Sequence, residues 1–133
     1  MQYRVSSVEV NLSIKVLVAD DSDVMRRTVS KYLSTKEGIV VVGEANNFEE
    51  AARLVGETKP EVVVIDVRMS RLLDSKTRNI KEICDCRIIA MSISVDDETQ
   101  GLAETLGADA FIDKMNLYDQ LLPKIVELGS IND

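Results

Sequence analysis

Aliphatic residues in this chain gather in five short runs, separated by stretches where they recur every three or four positions. The runs fall at residues 14–19, 39–42, 61–66, 87–91 and 110–113. Runs of this length, bounded by polar residues and turn formers, read as strands. The 61–66 run, Glu-Val-Val-Val-Ile-Asp, holds four consecutive aliphatic residues. That pattern predicts a strand buried on both faces, as in a parallel sheet covered by helices. Between the runs, Met25, Val29, Tyr32 and Leu33 give one helical face, and Phe48, Ala51, Ala52 and Val55 a second. Leu102, Ala103 and Leu106 give another, and Leu117, Leu121, Ile125 and Leu128 the last.

The boundaries follow from local chemistry. Asp21 or Ser22 is placed to cap the first helix, and Asn47 with Glu50 resembles a capping box for the second. Pro60 turns the chain out of that helix and into the 61–66 strand. Gly107 is the expected C′ residue of the 96–106 helix. Asn116 is expected to cap the last helix and Gly129 to end it, with a kink at Pro123, which lacks an N–H. The weakest segment is 70–86, where Leu72, Leu73, Ile80 and Ile83 predict one helix starting near Asp74 or Ser75. Strands alternating with helices predict an α/β, doubly wound (βα)5 domain over residues 14–133, built on a parallel five-stranded sheet. Residues 1–13 alternate weakly and form an N-terminal extension without assignment.

Composition narrows the function classes. A chain of 133 residues with 45% hydrophobic and 29% charged content has the profile of one globular domain. The net charge of −7 and the lack of a Lys/Arg-rich stripe argue against direct nucleic-acid binding by this chain. The apolar runs are too short to cross a membrane, and no signal-peptide stretch opens the sequence. With no histidine and only Cys84 and Cys86 as cysteines, a zinc site is not expected. Both read as reduced thiols of a cytoplasmic protein.

The candidate chemistry lies at the strand ends. In a parallel sheet every strand presents its carboxyl end on one edge, where open α/β folds place their ligands. The first, third, fourth and fifth runs end there in Asp20-Asp21, Asp66, Ser92 and Lys114. In the flavodoxin-like order 2-1-3-4-5, strands one and three are neighbours and flank the switch point. Taken singly these residues read as a helix cap, a turn cap, a backbone-bonded serine and a solvated lysine. Together they describe a crevice of three carboxylates, a hydroxyl and an ammonium. Two carboxylates about 4 Å apart repel by roughly 4 kcal/mol at an effective dielectric near 20, so the cluster calls for a cation or raised pKa values. Oxygen ligands of this kind suit Mg²⁺. A carboxylate beside a metal and an ammonium is placed to act as a phosphoryl nucleophile.

With those residues in view, the chain resembles a response-regulator receiver domain of bacterial two-component signalling, over roughly residues 14–128. Val42-Gly43-Glu44-Ala45 and Asp66-Val67-Arg68-Met69 are most similar to receivers of the LuxR/NarL type. The resemblance implies Asp66 as phospho-acceptor, with Lys114 and Ser92 as its catalytic partners. It implies Mg²⁺ held by Asp20, Asp21, Asp66 and the backbone carbonyl of Arg68, and Ser92 with Phe111 as switch residues. The implied partner is a histidine kinase or phosphotransfer protein, and a homodimer is compatible with it. The chain departs from the family at Ser70, where a proline is usual, in lacking a glycine shortly afterwards, and at Ile93, where a small residue is usual. Met115 stands where many members have a cis-proline. Two other readings remain. Asp21-Ser22-Asp23-Val24 also fits the motif of haloacid-dehalogenase-type phosphohydrolases, with Asp21 as nucleophile and Asp23 as acid/base. A degenerate receiver serving as a dimerisation module is the third.

Overall fold

All five positions of the strand Val62–Asp66 are buried. This strand lies at the centre of the sheet, as its unbroken aliphatic run requires. In the computed structural model of this chain the described residues are 13–72 and 78–131. The expected helix start at Asp74 or Ser75, and all but the last residue of the N-terminal extension, lie outside them. In chain order the elements are β1 (Ile14–Ala19), α1 (Asp23–Ser34), β2 (Ile39–Ala45), α2 (Phe48–Thr58) and β3 (Val62–Asp66). A 3₁₀ segment, Val67–Leu72, follows, and then α3 (Ile80–Ile83), β4 (Arg87–Ser92), α4 (Asp97–Leu106) and β5 (Ala110–Asp113). A 3₁₀ turn, Lys114–Asn116, leads into α5 (Leu117–Ile131). The sheet order is β2-β1-β3-β4-β5 and every pairing is parallel. This is the flavodoxin-like doubly wound fold expected from the sequence.

Side chains alternate across the sheet, so each central strand feeds two cores. Leu17, Val63, Ile65 and Ile88 face one layer, where Phe48, Ala51 and Val55 of α2, Ile80 of α3 and Leu106 of α4 cover them. Val16, Val18, Val64 and Ile89 face the other, beneath Val29 and Leu33 of α1 and Leu121 and Ile125 of α5. Among the described residues no helix is long and apolar enough to cross a membrane.

Several boundaries differ from expectation for identifiable reasons. Among the described residues, helix α3 is four residues long and begins at Ile80. Asn79 starts it: its side chain accepts from Ile80 N–H at 2.7 Å, while the Glu82 carboxylate accepts from Asn79 N–H at 2.7 Å. At α2, Asn47 accepts from Glu50 N–H at 2.8 Å, but the Glu50 carboxylate reaches back one residue further, to Asn46 N–H. Gly107 ends α4 with φ 75°, the left-handed conformation that favours glycine. Gly129 does not end α5, which runs through it to Ile131. A Cβ there would lie 2.7 Å from Ile14 Cδ1, so the glycine lets α5 lie directly against the start of β1. Pro123 stands inside the continuous α5.

The segment after β3 is held by Ser70 in place of the usual proline. Ser70 is buried, and its hydroxyl donates to the Val67 carbonyl at 2.7 Å, with the Leu102 carbonyl of α4 at 3.4 Å. Cys84 and Cys86 are free thiols, the first half-buried and the second buried. Burial pushes the Cys86 thiol up to about 12. Ser70→Ala should cost about 1 kcal/mol, read as a lower urea midpoint with unchanged slope; an unchanged midpoint would contradict the tether. Alkylation of the native protein at pH 8 should label Cys84 well before Cys86, because the buried thiol stays protonated and covered. Equal labelling rates by mass spectrometry would contradict that.

Candidate functional site

Three loops meet at the carboxyl edge of the sheet, above the β1–β3 junction where the connections diverge to opposite faces. The first leaves β1 at Asp20. The Asp20 carboxylate accepts from Ser22 N–H at 2.9 Å, tightening the turn. Of the two expected capping residues, Ser22 is the one used, its hydroxyl accepting from Met25 N–H at 3.2 Å. The acidic pair is therefore not needed as the cap of α1. The second loop begins at Asp66, whose Oδ1 accepts from Arg68 N–H at 2.9 Å. The third follows β5. Here Asp113, not Asn116, caps the turn into the last helix by accepting from Met115 N–H at 2.9 Å.

Lys114 joins the three. Its Nζ lies 2.8 Å from Asp20 Oδ2 and 3.1 Å from Asp66 Oδ2. The two carboxylate side chains are 0% and 1% exposed and the lysine 5%. Asp21 is exposed at the mouth. One carboxylate oxygen from each of Asp20, Asp21 and Asp66 lies within 4.8 Å of the others. An all-oxygen donor set of this kind, part buried and part open to water, is the chemistry of a hard divalent-cation site.

The two buried carboxylates differ in what else they touch. Burial pushes Asp20 above its ordinary value; its bonds with Lys114 and Ser22 N–H oppose this and are outweighed, and the neighbouring charge of Asp66 adds to the rise. Burial acts upward on Asp66 as well, but the Arg68 N–H, the Arg68 guanidinium and Lys114 outweigh it and hold this carboxyl below the usual range. Arg68 Nη2 lies 3.1 Å from Asp66 Oδ2.

Ser92 is buried at the end of β4, and in the β4–β5 register it lies opposite Asp113, the residue before Lys114. Its Oγ accepts from Ser94 N–H at 3.2 Å. Ile93 is exposed. Phe111 is not part of the acidic crevice. It packs half-buried against the core and borders a groove of about 480 Å³ with Val95, Ala103, Ala108 and Gln120.

One residue of the site escaped the sequence reading. Arg26 of α1 is buried, and its guanidinium donates to the Asp20 backbone carbonyl at 3.0 Å, to Asp23 at 2.7 Å and, from Nε, to Glu44 at 3.3 Å. It fixes the backbone from which both Asp20 and Asp21 project. The signal was present: Arg26, Val29, Ser30 and Leu33 make the buried stripe of α1, spaced i, i+3, i+4, i+7. A charge at the head of such a stripe calls for partners.

The chain is similar to known proteins in both sequence and fold. Residues 16–126 match the family model described as the response regulator receiver domain. The response regulator GacA of Pseudomonas syringae is 31% identical over 103 residues, covering 76% of this chain and 48% of that protein. A protein-glutamate methylesterase/protein-glutamine glutaminase of Bacillus subtilis is 34% identical over 128 residues, covering 87% of this chain and 36% of its own length. This chain thus spans about half or less of those relatives. Among solved structures, the response regulator domain of Thermotoga maritima CheB superposes with a TM-score of 0.72 at 26% identity, over 89% of this chain and 97% of that one. A LuxR-family response regulator from Aurantimonas gives 0.73 at 22% identity, over 89% and 86%, and bears on the fold alone. With the family model covering most of the chain and the acid–lysine crevice lying at the β1–β3 switch point, the protein belongs to the response regulator receiver domain family of two-component signalling.

Proposed function

We propose that this domain accepts a phosphoryl group on Asp66 from a phosphohistidine of a separate histidine kinase or phosphotransfer protein, with Mg²⁺ in the crevice, and changes conformation in response. The observation that carries the reading is the buried Lys114 ammonium bridging Asp20 and Asp66. It leaves Asp66 anionic in a site from which most water is excluded, as a carboxylate nucleophile requires. In the reaction an Asp66 oxygen bonds to phosphorus as the phosphorus–nitrogen bond of the donor imidazole breaks, and the imidazole takes up a proton. Lys114 stabilises negative charge on the transferring oxygens, and the Ser92 hydroxyl, at the end of β4, donates to one of them. Asp20, Asp21, Asp66 and the backbone carbonyl of Arg68 would hold the metal, whose contribution is to neutralise the charge of the incoming group. Release of the group by water resets the domain. Ser92 turning toward the new phosphoryl oxygens, with Phe111 moving beside its groove, would carry the change to the α4–β5–α5 face.

The phosphohydrolase reading is not favoured. It needs Asp23 as a general acid, which calls for a raised pKa. Asp23 is instead exposed and paired with Arg26, which holds it below the usual range.

With Mg²⁺ and a small phosphoryl donor such as acetyl phosphate, the wild type should gain one phosphoryl group, seen as a retarded band on a phosphate-affinity gel. Asp66→Ala should gain none, and undiminished labelling of that variant would overturn the assignment. Arg26→Met should weaken Mg²⁺ binding by about tenfold, the usual scale for a residue that orients a metal ligand. Calorimetric titration of the folded variant checks this, and unaltered affinity would remove Arg26 from the site.

A further inference from the structure

We propose that the Arg68 guanidinium is an internal counter-ion that occupies Asp66 in the resting domain and is displaced by the metal, so that Arg68 sets the Mg²⁺ affinity of the site. The inference rests on the metal reading given above and goes beyond it by assigning a role to a side chain that reading leaves unused.

Asp66 offers two oxygens. Its Oδ1 accepts from the Arg68 backbone N–H, and its Oδ2 from both Lys114 Nζ and Arg68 Nη2. Oδ2 is therefore saturated by two cationic donors. They are not equivalent. Lys114 is 5% exposed and is held from its other side by Asp20. Arg68 is 44% exposed and reaches in from solvent. Freeing Oδ2 by moving Lys114 would strand an ammonium and two carboxylates in a dry crevice. Moving Arg68 returns a guanidinium to water, where its charge is solvated. Arg68 is the donor that can leave.

The charges favour the same exchange. Three carboxylates face one ammonium and one guanidinium, so the cluster carries one net negative charge with Arg68 in place and two with it withdrawn. A divalent cation neutralises the second state and leaves the first positive. Asp21 and Asp20 both stabilise the charge on Arg68, which shows the guanidinium lying in the field of all three acids. It thus stands in the electrostatic position a metal would take. The backbone N–H bond from the same residue to Oδ1 does not depend on its side chain, so withdrawal of the guanidinium leaves the loop anchored.

Calorimetric Mg²⁺ titrations of the wild type, Arg68→Met and Arg68→Lys, each checked for folding by circular dichroism, test the inference. Arg68→Met should bind Mg²⁺ roughly 3- to 30-fold more tightly than the wild type, the range expected for one partly exposed charge-assisted contact. Arg68→Lys should fall between them. In the wild type the Arg68 Nε–H resonance should shift toward its free-arginine position as Mg²⁺ is added. Binding by the methionine variant alone would support the inference in its strongest form. Equal or weaker binding by that variant, or an Arg68 resonance unmoved while Mg²⁺ binds, would overturn the counter-ion role and leave the metal site standing. No binding by any of the three proteins would overturn both.

Discussion

The arrangement depends on one buried ammonium. Asp20 and Asp66 end adjacent strands of the sheet, and both carboxylates are withdrawn from water. Two like charges so placed repel, and each has lost its hydration. Lys114 answers both with one Nζ at 2.8 and 3.1 Å. Removing one partner of a buried ionic group typically costs several kcal/mol because the other is left uncompensated. The geometry that brings the third partner from the opposite end of the sequence is therefore under heavy constraint. Its source is the chain-order crossover: β1 and β3 are neighbours, and only β4 stands between β3 and β5, close enough for a long lysine side chain to return.

Everything beneath that edge serves to keep the three loops in fixed relation. The β1 and β3 side chains enter two separate apolar layers, so neither strand can slip or rotate without exposing aliphatic surface on one side. Arg26 holds the backbone carbonyl of Asp20, and Asp113 caps the turn that carries Lys114. Gly129 admits α5 against Ile14 at the far end of β1. The scaffold is rigid where it positions the inner pair of carboxylates and open where Asp21 and Arg68 face solvent.

The strands were legible because their signal is local and strong, and their order followed from the alternation of strands and helices that marks a flavodoxin-like fold. An aliphatic run followed by a carboxylate fixes both the burial of β3 and the place of Asp66. Lys114 was legible for the same reason, directly after Ala110–Asp113. What the pattern hid were contacts decided by three dimensions. Arg26 was hidden by the habit of reading helix faces from apolar residues, which picked out Met25 and Tyr32, both only half-buried, beside Val29 and Leu33. Gly129 read as a helix stop because its close approach to Ile14 joins residues 115 positions apart. Asn116 had the right residue type for a cap, but Asp113 lay nearer the true start of the turn. The cap that Asn79 and Glu82 form at Ile80 is likewise not encoded in the apolar spacing of Leu72, Leu73, Ile80 and Ile83.

The two buried carboxylates share one cation and yet diverge chemically, and this divides their work in the proposed reaction. Asp66 receives a backbone N–H, a guanidinium and a share of Lys114, and these keep it ionised against the pull of burial. Asp20 receives Lys114 and one N–H, and burial prevails. Paired groups pushed in opposite directions take different roles. The group held anionic is suited to form a bond to phosphorus. The group short of positive charge is suited to gain from a divalent cation, which would supply what Lys114 alone does not. Asp66 is already compensated in part by an arginine reaching in from water, so one of the contacts that keep it anionic also occupies one of its two oxygens. In the proposed exchange, Lys114 and the Arg68 N–H continue to hold Asp66 anionic after the Arg68 side chain has left, so the availability of its oxygen turns on that side chain.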